Sequence, residues 1–162
     1  MNGAETGPAG TIFTIGYEGA SLDSVLRTLA ARGVAVVLDV RELPLSRRAG
    51  FSKRPLAAAL EEAGIGYLHL KGLGTPKEGR TAARQGDLER FWSIVEETMR
   101  TPEAEHDLHR AAAAAGRQPA CLLCFEASPH LCHRRRVADA LHDRFAFTVE
   151  HLAPAEPSFW SP

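Results

Sequence analysis

The sequence predicts an α/β protein, a single three-layer domain in which helices cover both faces of a mainly parallel sheet of about five strands. Short apolar, β-branched runs alternate along the chain with longer segments whose apolar residues recur at helical spacing. Residues 34–40 form a continuous apolar run, which is typical of a parallel strand covered on both faces. The 162 residues, 44% of them hydrophobic, suit one domain with a sizeable core.

The first half of the chain predicts three strands and two helices. A β-branched and aromatic run at residues 11–15 predicts the first strand. The following helix begins after Ser21, a favourable N-cap residue, and its apolar residues share one face. The run at residues 34–40 predicts the second strand, residues 53–63 predict the second helix, and residues 65–70 predict the third strand.

The second half of the chain predicts mostly helices. Residues 77–85 are polar and are predicted to form a loop. Asp87 is a favourable cap for a helix with one apolar face, and an alanine-rich helix follows from Thr101 to Gly116. The pattern ends with a strand at residues 121–126, a helix to about residue 142 and a strand at residues 145–151.

Composition and the chain ends exclude several classes of protein. The net charge of -1 gives no overall signal for binding a polyanion, and no run of about 18 apolar residues could cross a membrane. Residues 1–10 are polar and predict a flexible tail rather than a signal peptide, whereas residues 153–162 predict an irregular, proline-rich tail. Three cysteines form no evident disulfide framework, so we expect a reducing, cytoplasmic location.

Reactive side chains concentrate in residues 121–136, where the fourth predicted strand runs directly into a helix. In open parallel sheets, ligands bind at the carboxyl ends of the strands, and all parallel strands end at the same edge. Polar residues follow the other predicted strands as well, so we predict one shared site. The residues placed at this edge are Gly16, Tyr17, Glu18, Asp39, Arg41, Lys71, Gly72, Gly74, Cys124, Glu126 and Cys132.

Four of these side chains are candidates for catalysis. Cys132 lies at a predicted helix start beside basic residues, and both features lower the pKa of a thiol and favour a nucleophilic thiolate. Glu126 is a candidate general acid or base. Asp39 lies inside an apolar run, so it must be either paired or functional, and Cys124 ends the same strand that leads to Glu126. The alternative is that the cysteines are small buried hydrophobes.

The predicted ligand is phosphorylated or nucleotide-like. A glycine turn before a helix can accept an anion, although the dinucleotide-binding and Walker A patterns are absent from the sequence. Guanidinium groups suit phosphate, but they also suit a solvated loop. The predicted substrate-binding residues are Gly16, Tyr17, Arg41, Arg47, His133 and Arg134.

The sequence identifies no cofactor and no metal site is predicted. Cys121 and Cys124 have the spacing of zinc ligands, but positions i and i+3 of a strand face opposite sides of the sheet. Cys124 with Cys132 and His130 or His133 stays open as a ligand set.

Several motifs together resemble the bacterial and archaeal family called "domain of unknown function 488", over about residues 11–152. The resemblance implies an α/β domain with these motifs at one end, and it implies no assigned activity. Residues 38–42 also resemble rhodanese-type sulfurtransferases, but no cysteine-cradling loop follows Cys124. The motifs that resemble the first family are residues 14–19, residues 39–41 with Pro44, Ser46 and Arg47, residues 73–74, residues 123–126 and residues 132–134.

The sequence thus predicts an enzyme, a hydrolase or transferase, that acts on a phosphorylated or nucleotide-like substrate through Cys132 or Glu126. A non-catalytic module that binds nucleotides or nucleic acid is the alternative, and it rests on two basic clusters. Sulfur transfer and metal binding are the weaker interpretations. The basic clusters are Arg47, Arg48, Lys53 and Arg54, and residues 134–136.

Overall fold

A computed structural model describes residues 10–155, which contain five strands and six α-helices. The strands are β1 (Thr11–Gly16), β2 (Val36–Asp39), β3 (Gly66–His69), β4 (Ala120–Cys124) and β5 (Thr148–Leu152). The helices are α1 (Leu22–Ala31), α2 (Lys53–Glu62), α3 (Lys77–Arg84), α4 (Leu88–Met99), α5 (Pro102–Arg117) and α6 (His133–Phe145).

All five strands form one sheet in the order β3-β2-β4-β1-β5, and every neighbouring pair is parallel. Helices cover both faces of this sheet, which confirms the predicted α/β class and strand number. The apolar residues of α1 and α2 pack against one face, and those of α5 and α6 pack against the other. Within residues 10–155, no helix combines the length and apolar character needed to cross a membrane.

The prediction of a loop at the polar residues 77–85 is wrong, because this segment forms α3. This helix buries only small residues, since Ala82 packs against Phe91 and Val95 of α4, and Gly79 lies close to Ile94. A short helix that packs closely against a longer one therefore forms without a stripe of large apolar residues, which is the pattern by which a helix is predicted from sequence.

The boundaries of the last elements also differ from the predicted ones. Helix α6 continues to Phe145 and ends at Ala146, whose φ of 67° is left-handed, so β5 begins only after it. Strand β4 ends at Cys124, which places Glu126 in the following loop instead of in the strand. Of the predicted tails, residue 10 and residues 153–155 have no regular secondary structure, and residues 1–9 and 156–162 lie outside the described residues.

A buried ion pair closes the carboxyl end of β2. The guanidinium of Arg41 donates from Nε to Asp39 Oδ1 at 2.9 Å and from Nη2 to Asp39 Oδ2 at 2.7 Å. Its Nη1 donates to the Tyr17 hydroxyl at 3.0 Å and to the Phe51 carbonyl at 2.8 Å. The Tyr67 hydroxyl donates to Asp39 Oδ2 at 2.5 Å. The pair therefore joins the segments that follow β1 and β2 to strand β3.

We predict that Asp39→Ala lowers the free energy of unfolding by about 3–5 kcal/mol, because it leaves the Arg41 guanidinium buried without its partner. Urea unfolding followed by circular dichroism measures the change. The control is Asp23→Ala, which breaks the exposed Asp23–Arg27 pair (2.9 Å) and should change stability little. Equal losses in the two variants would contradict this role for the buried pair.

Candidate functional site

Two cysteines and a histidine meet where β4 ends and α6 begins. Cys124 is the last residue of β4, Cys132 is the N-cap of α6, and His133 is the first residue of that helix. One ligand atom from each of the three lies within 4.8 Å of the other two. All three side chains are buried. Cys121 takes no part, because its side chain points into the core on the opposite face of the sheet from Cys124, as the strand spacing predicts.

The ring of His133 is held from one side. Its Nε2 lies 2.7 Å from the carbonyl oxygen of Val40, just beyond β2. Since a carbonyl can only accept, Nε2 carries a hydrogen and donates it. The other ring nitrogen, Nδ1, lies 3.6 Å from Cys124 Sγ. The imidazole therefore connects the end of β2 to the two thiols.

The two thiols of this cluster have different proton affinities. Burial opposes a charge on Cys132, but hydrogen bonds from Cys124 and His133 and the positive charges of His133 and Arg134 lower its pKa well below the usual value. The hydrogen bond to Cys132, together with burial, raises the pKa of Cys124. Of the two thiols, Cys132 therefore loses its proton more readily than Cys124.

Glu126 adds a carboxyl group to the cluster. It lies in the β4–α6 loop with Oε1 at 4.0 Å from Cys124 Sγ. Burial and then the negative charge of Cys132 raise the pKa of Glu126 to about 7. A carboxyl group in this state can both give and take a proton near neutral pH, which general acid–base catalysis requires.

The Arg134 guanidinium fixes the β4–α6 loop over β1. This side chain is fully buried. Its Nε donates to Thr14 Oγ1 at 3.0 Å, its Nη1 donates to the Glu126 carbonyl, and its Nη2 donates to the Ala127 carbonyl at 3.2 Å. Because one planar group spans the strand and the loop, it sets the position from which the Glu126 side chain extends.

The β1–α1 turn packs directly against the same loop. A Cβ atom placed on Gly16 would lie 1.7 Å from the Glu126 carbonyl oxygen, so only glycine permits this approach. The amide of Tyr17 donates to the Cys124 carbonyl at 3.2 Å, and the Tyr17 ring stacks on Phe51 with centroids 4.3 Å apart. Gly16 and Tyr17 therefore contact protein atoms and shape the loop.

The residues predicted to act in catalysis or in substrate binding separate into three groups. The structure brings Cys124, Glu126, Cys132 and His133 together, with Arg134 behind their loop. The residues of the second group make their polar contacts with protein atoms and support the cluster. They are Asp39, Arg41, Gly16 and Tyr17. The third group is Arg47 alone, which is exposed on the β2–α2 loop. Cys132 has no exposed surface, so a substrate does not reach its sulfur in this conformation.

Two contributors to this region had no clear signal in the sequence. Thr75 follows β3 and is buried, and within residues 10–155 its Oγ1 has no hydrogen-bond partner. It lines a narrow cavity together with His133. Val40 contributes through its main-chain carbonyl, which no residue type reveals. For Thr75, the sequence offers only its position next to Gly74 as a signal.

We predict that Gly16→Ala displaces the Glu126 loop and lowers the free energy of unfolding by about 3 kcal/mol, because the added methyl group meets a backbone carbonyl. Alkylation of Cys124, measured by peptide mass spectrometry, should then be faster than in the wild type. Gly116→Ala is the control: its added Cβ meets no atom within 4 Å, and helix propensity should raise stability by up to about 1 kcal/mol. Unchanged Cys124 reactivity in Gly16→Ala would contradict this account of the loop.

Comparison with known families gives one match. The model of the family described as "Domain of unknown function DUF488" matches residues 21–141, which is most of the chain and includes β2, β3, β4 and the whole cluster. Comparisons with curated proteins and with solved structures give no significant match. The chain therefore belongs to the DUF488 family of domains of unknown function.

Proposed function

We propose that this protein is an enzyme whose reaction centre consists of Cys124, Glu126, Cys132 and His133, and that it acts on a phosphorylated or nucleotide-like substrate. The observation that carries the proposal is the convergence of two thiols, an imidazole and a carboxyl group in one largely buried cluster at the carboxyl edge of a parallel sheet. This edge is where α/β enzymes bind their ligands.

The cost of burial supports a functional interpretation of the cluster. An ionisable group removed from water destabilises the fold unless it is paired, and apolar side chains would fill the same space without that cost. Groups with perturbed proton affinity and a specific charged neighbour are concentrated at functional sites. Here four such groups lie side by side, which packing alone does not require.

Each member of the site has a proposed role. Glu126 transfers protons to and from the reacting groups. Cys124, Cys132 and His133 either react with the substrate themselves or hold a group that binds it. Arg134 is a positioning residue for the Glu126 loop. Asp39 is another, since its pair with Arg41 fixes the main chain beside the Val40 carbonyl that holds His133.

The substrate class follows from charge at the same edge. Arg41 and Arg134 donate to protein oxygens, so they are not proposed to contact the substrate. The β2–α2 loop and the start of α2 instead offer exposed cations, which attract an anionic substrate such as a phosphate ester. We also propose a reducing cytoplasm as the working compartment, because the neighbouring thiols of Cys124 and Cys132 are unpaired. The exposed cations are Arg47, Arg48, Lys53 and Arg54.

We predict that a panel of phosphomonoesters, phosphodiesters and nucleotides contains a substrate that the purified chain turns over. Glu126→Gln and Cys132→Ser should each lower that turnover by about a hundredfold or more, because a positioned acid–base group contributes about 10²–10⁴-fold. The matched controls are the exposed Glu61→Gln and the buried Cys121→Ala, and both should retain turnover. Equal activity in all four variants would exclude this reaction centre.

The exposed cations of the β2–α2 loop favour one alternative, a non-catalytic module that binds nucleic acid. Such binding should weaken steeply as the salt concentration rises, and Arg47→Ser with Arg54→Ser should abolish it. Salt-sensitive binding of a labelled oligonucleotide without any turnover would support this alternative over the enzyme.

A further inference from the structure

We infer that Cys124, Cys132 and His133 bind one divalent metal ion of the zinc type, next to Glu126, whose Oε1 lies 4.0 Å from Cys124 Sγ. The metal site is argued from the geometry of these side chains alone. Its part in a reaction rests on the proposed function.

The spacing of the donor atoms suits tetrahedral coordination. With zinc–sulfur distances of about 2.3 Å and zinc–nitrogen distances of about 2.0 Å, neighbouring ligand atoms are separated by about 3.5–3.8 Å. Cys124 Sγ and His133 Nδ1 are 3.6 Å apart, and all three donor atoms lie within 4.8 Å of one another. Small side-chain rotations are therefore enough to bring the three donors around one ion.

Hydrogen bonds from neighbouring groups orient two of the proposed ligands in the way that is usual for metal ligands. Imidazoles that bind a metal through one nitrogen typically donate the other N–H to a carbonyl or carboxylate. His133 does this through Nε2 to Val40, which leaves Nδ1 facing Cys124. The Cys132 sulfur accepts the backbone N–H of Arg134 at 3.5 Å, a hydrogen bond that favours the thiolate form needed for metal binding.

A dication also balances the charge of this cluster. Metal binding takes the proton from Cys124 as well as from Cys132, and two buried thiolates beside the Glu126 carboxyl group would repel one another without a cation between them. A divalent ion neutralises the two sulfurs and removes that cost. Cys121 shows the contrast: it lies on the same strand as Cys124 but packs among apolar side chains on the opposite face of the sheet.

Two sulfurs and one nitrogen from protein form a ligand set found in catalytic zinc sites, where a water molecule completes the coordination. A water molecule in that position would give one proton to the Glu126 carboxylate and attack the phosphorus or carbon centre of the substrate. As the new bond to oxygen forms, the bond to the leaving group breaks, and Glu126 returns the proton to the leaving group. The substrate class is then a hydrolysable ester or amine of a phosphorylated compound, and the thiolates are ligands instead of nucleophiles.

The first test is the metal content of the full chain, purified without chelators and without a metal-affinity tag and measured by inductively coupled plasma mass spectrometry. We expect about one zinc per chain in the wild type. Cys124→Ala, Cys132→Ala and His133→Ala should each lower it at least about tenfold, because three protein ligands are the minimum for such sites. Cys121→Ala and the exposed His109→Ala are the controls and should keep the metal. Zinc retained by all three ligand variants would overturn the site.

A second test needs no variant and so does not depend on whether the variants fold. Chelator-treated wild-type protein, checked by circular dichroism, is titrated with Co²⁺. The site predicts a thiolate-to-cobalt charge-transfer band and the intense visible bands of tetrahedral cobalt. A folded protein that shows neither band would overturn the site.

The two proposals fail in different ways. Zinc bound by the three ligands without turnover of any substrate would leave the metal site standing and overturn the proposed function. Full turnover by protein shown to be metal-free would support the proposed function and overturn the part assigned to the metal.

Discussion

The arrangement of the site depends on the hydrogen bonds that the buried guanidinium of Arg134 donates. It lies in the first turn of α6 and reaches back to Thr14 in β1 and to two carbonyl groups of the β4–α6 loop. A buried cation needs its donors satisfied, so this one group fixes a helix, a strand and a loop relative to one another. Glu126 and Cys132 stand at opposite ends of that loop, and their separation follows from it.

A second buried guanidinium supports the other side of the cluster. Arg41 and Asp39 fix the main chain at the end of β2, where the Val40 carbonyl accepts the His133 ring. The site thus consists of an inner group of reactive side chains and an outer group of charged residues whose donors are used within the protein. This division explains why so many charged residues gather at one edge although only a few of them can act on a ligand.

Much of this architecture could be predicted from local patterns. The run at residues 34–40 identifies a buried strand because its composition alone requires cover on both faces, and parallel strands then bring Cys124, Glu126 and Cys132 to one edge. Helix α3 could not be predicted, since its burial of Gly79 and Ala82 depends on how closely α4 approaches. A pair between Asp39 and Arg41 or Arg134 could be predicted, because a buried carboxylate needs a partner, and the structure shows the pair with Arg41. The other partners of Arg41 and those of Arg134 could not be predicted, because a guanidinium in a sequence gives no sign of whether protein or ligand will use its donors. The hydrogen bond from His133 to Val40 involves a main-chain atom, which every residue possesses.

The position of β1 in the sheet has a consequence for synthesis on the ribosome. Of the five strands of this sheet, β1 comes first along the chain, yet its two neighbours are β4 and β5, which follow β2, β3 and five helices. Until β4 emerges, only β2 and β3 can pair with each other, and the backbone groups of β1 remain hydrogen-bonded to water. Such long-range pairing slows folding and exposes apolar surface in the meantime. The loop that carries Glu126 and the helix that carries His133 follow β4 along the chain, so the reactive cluster forms only after most of the sheet has been synthesised.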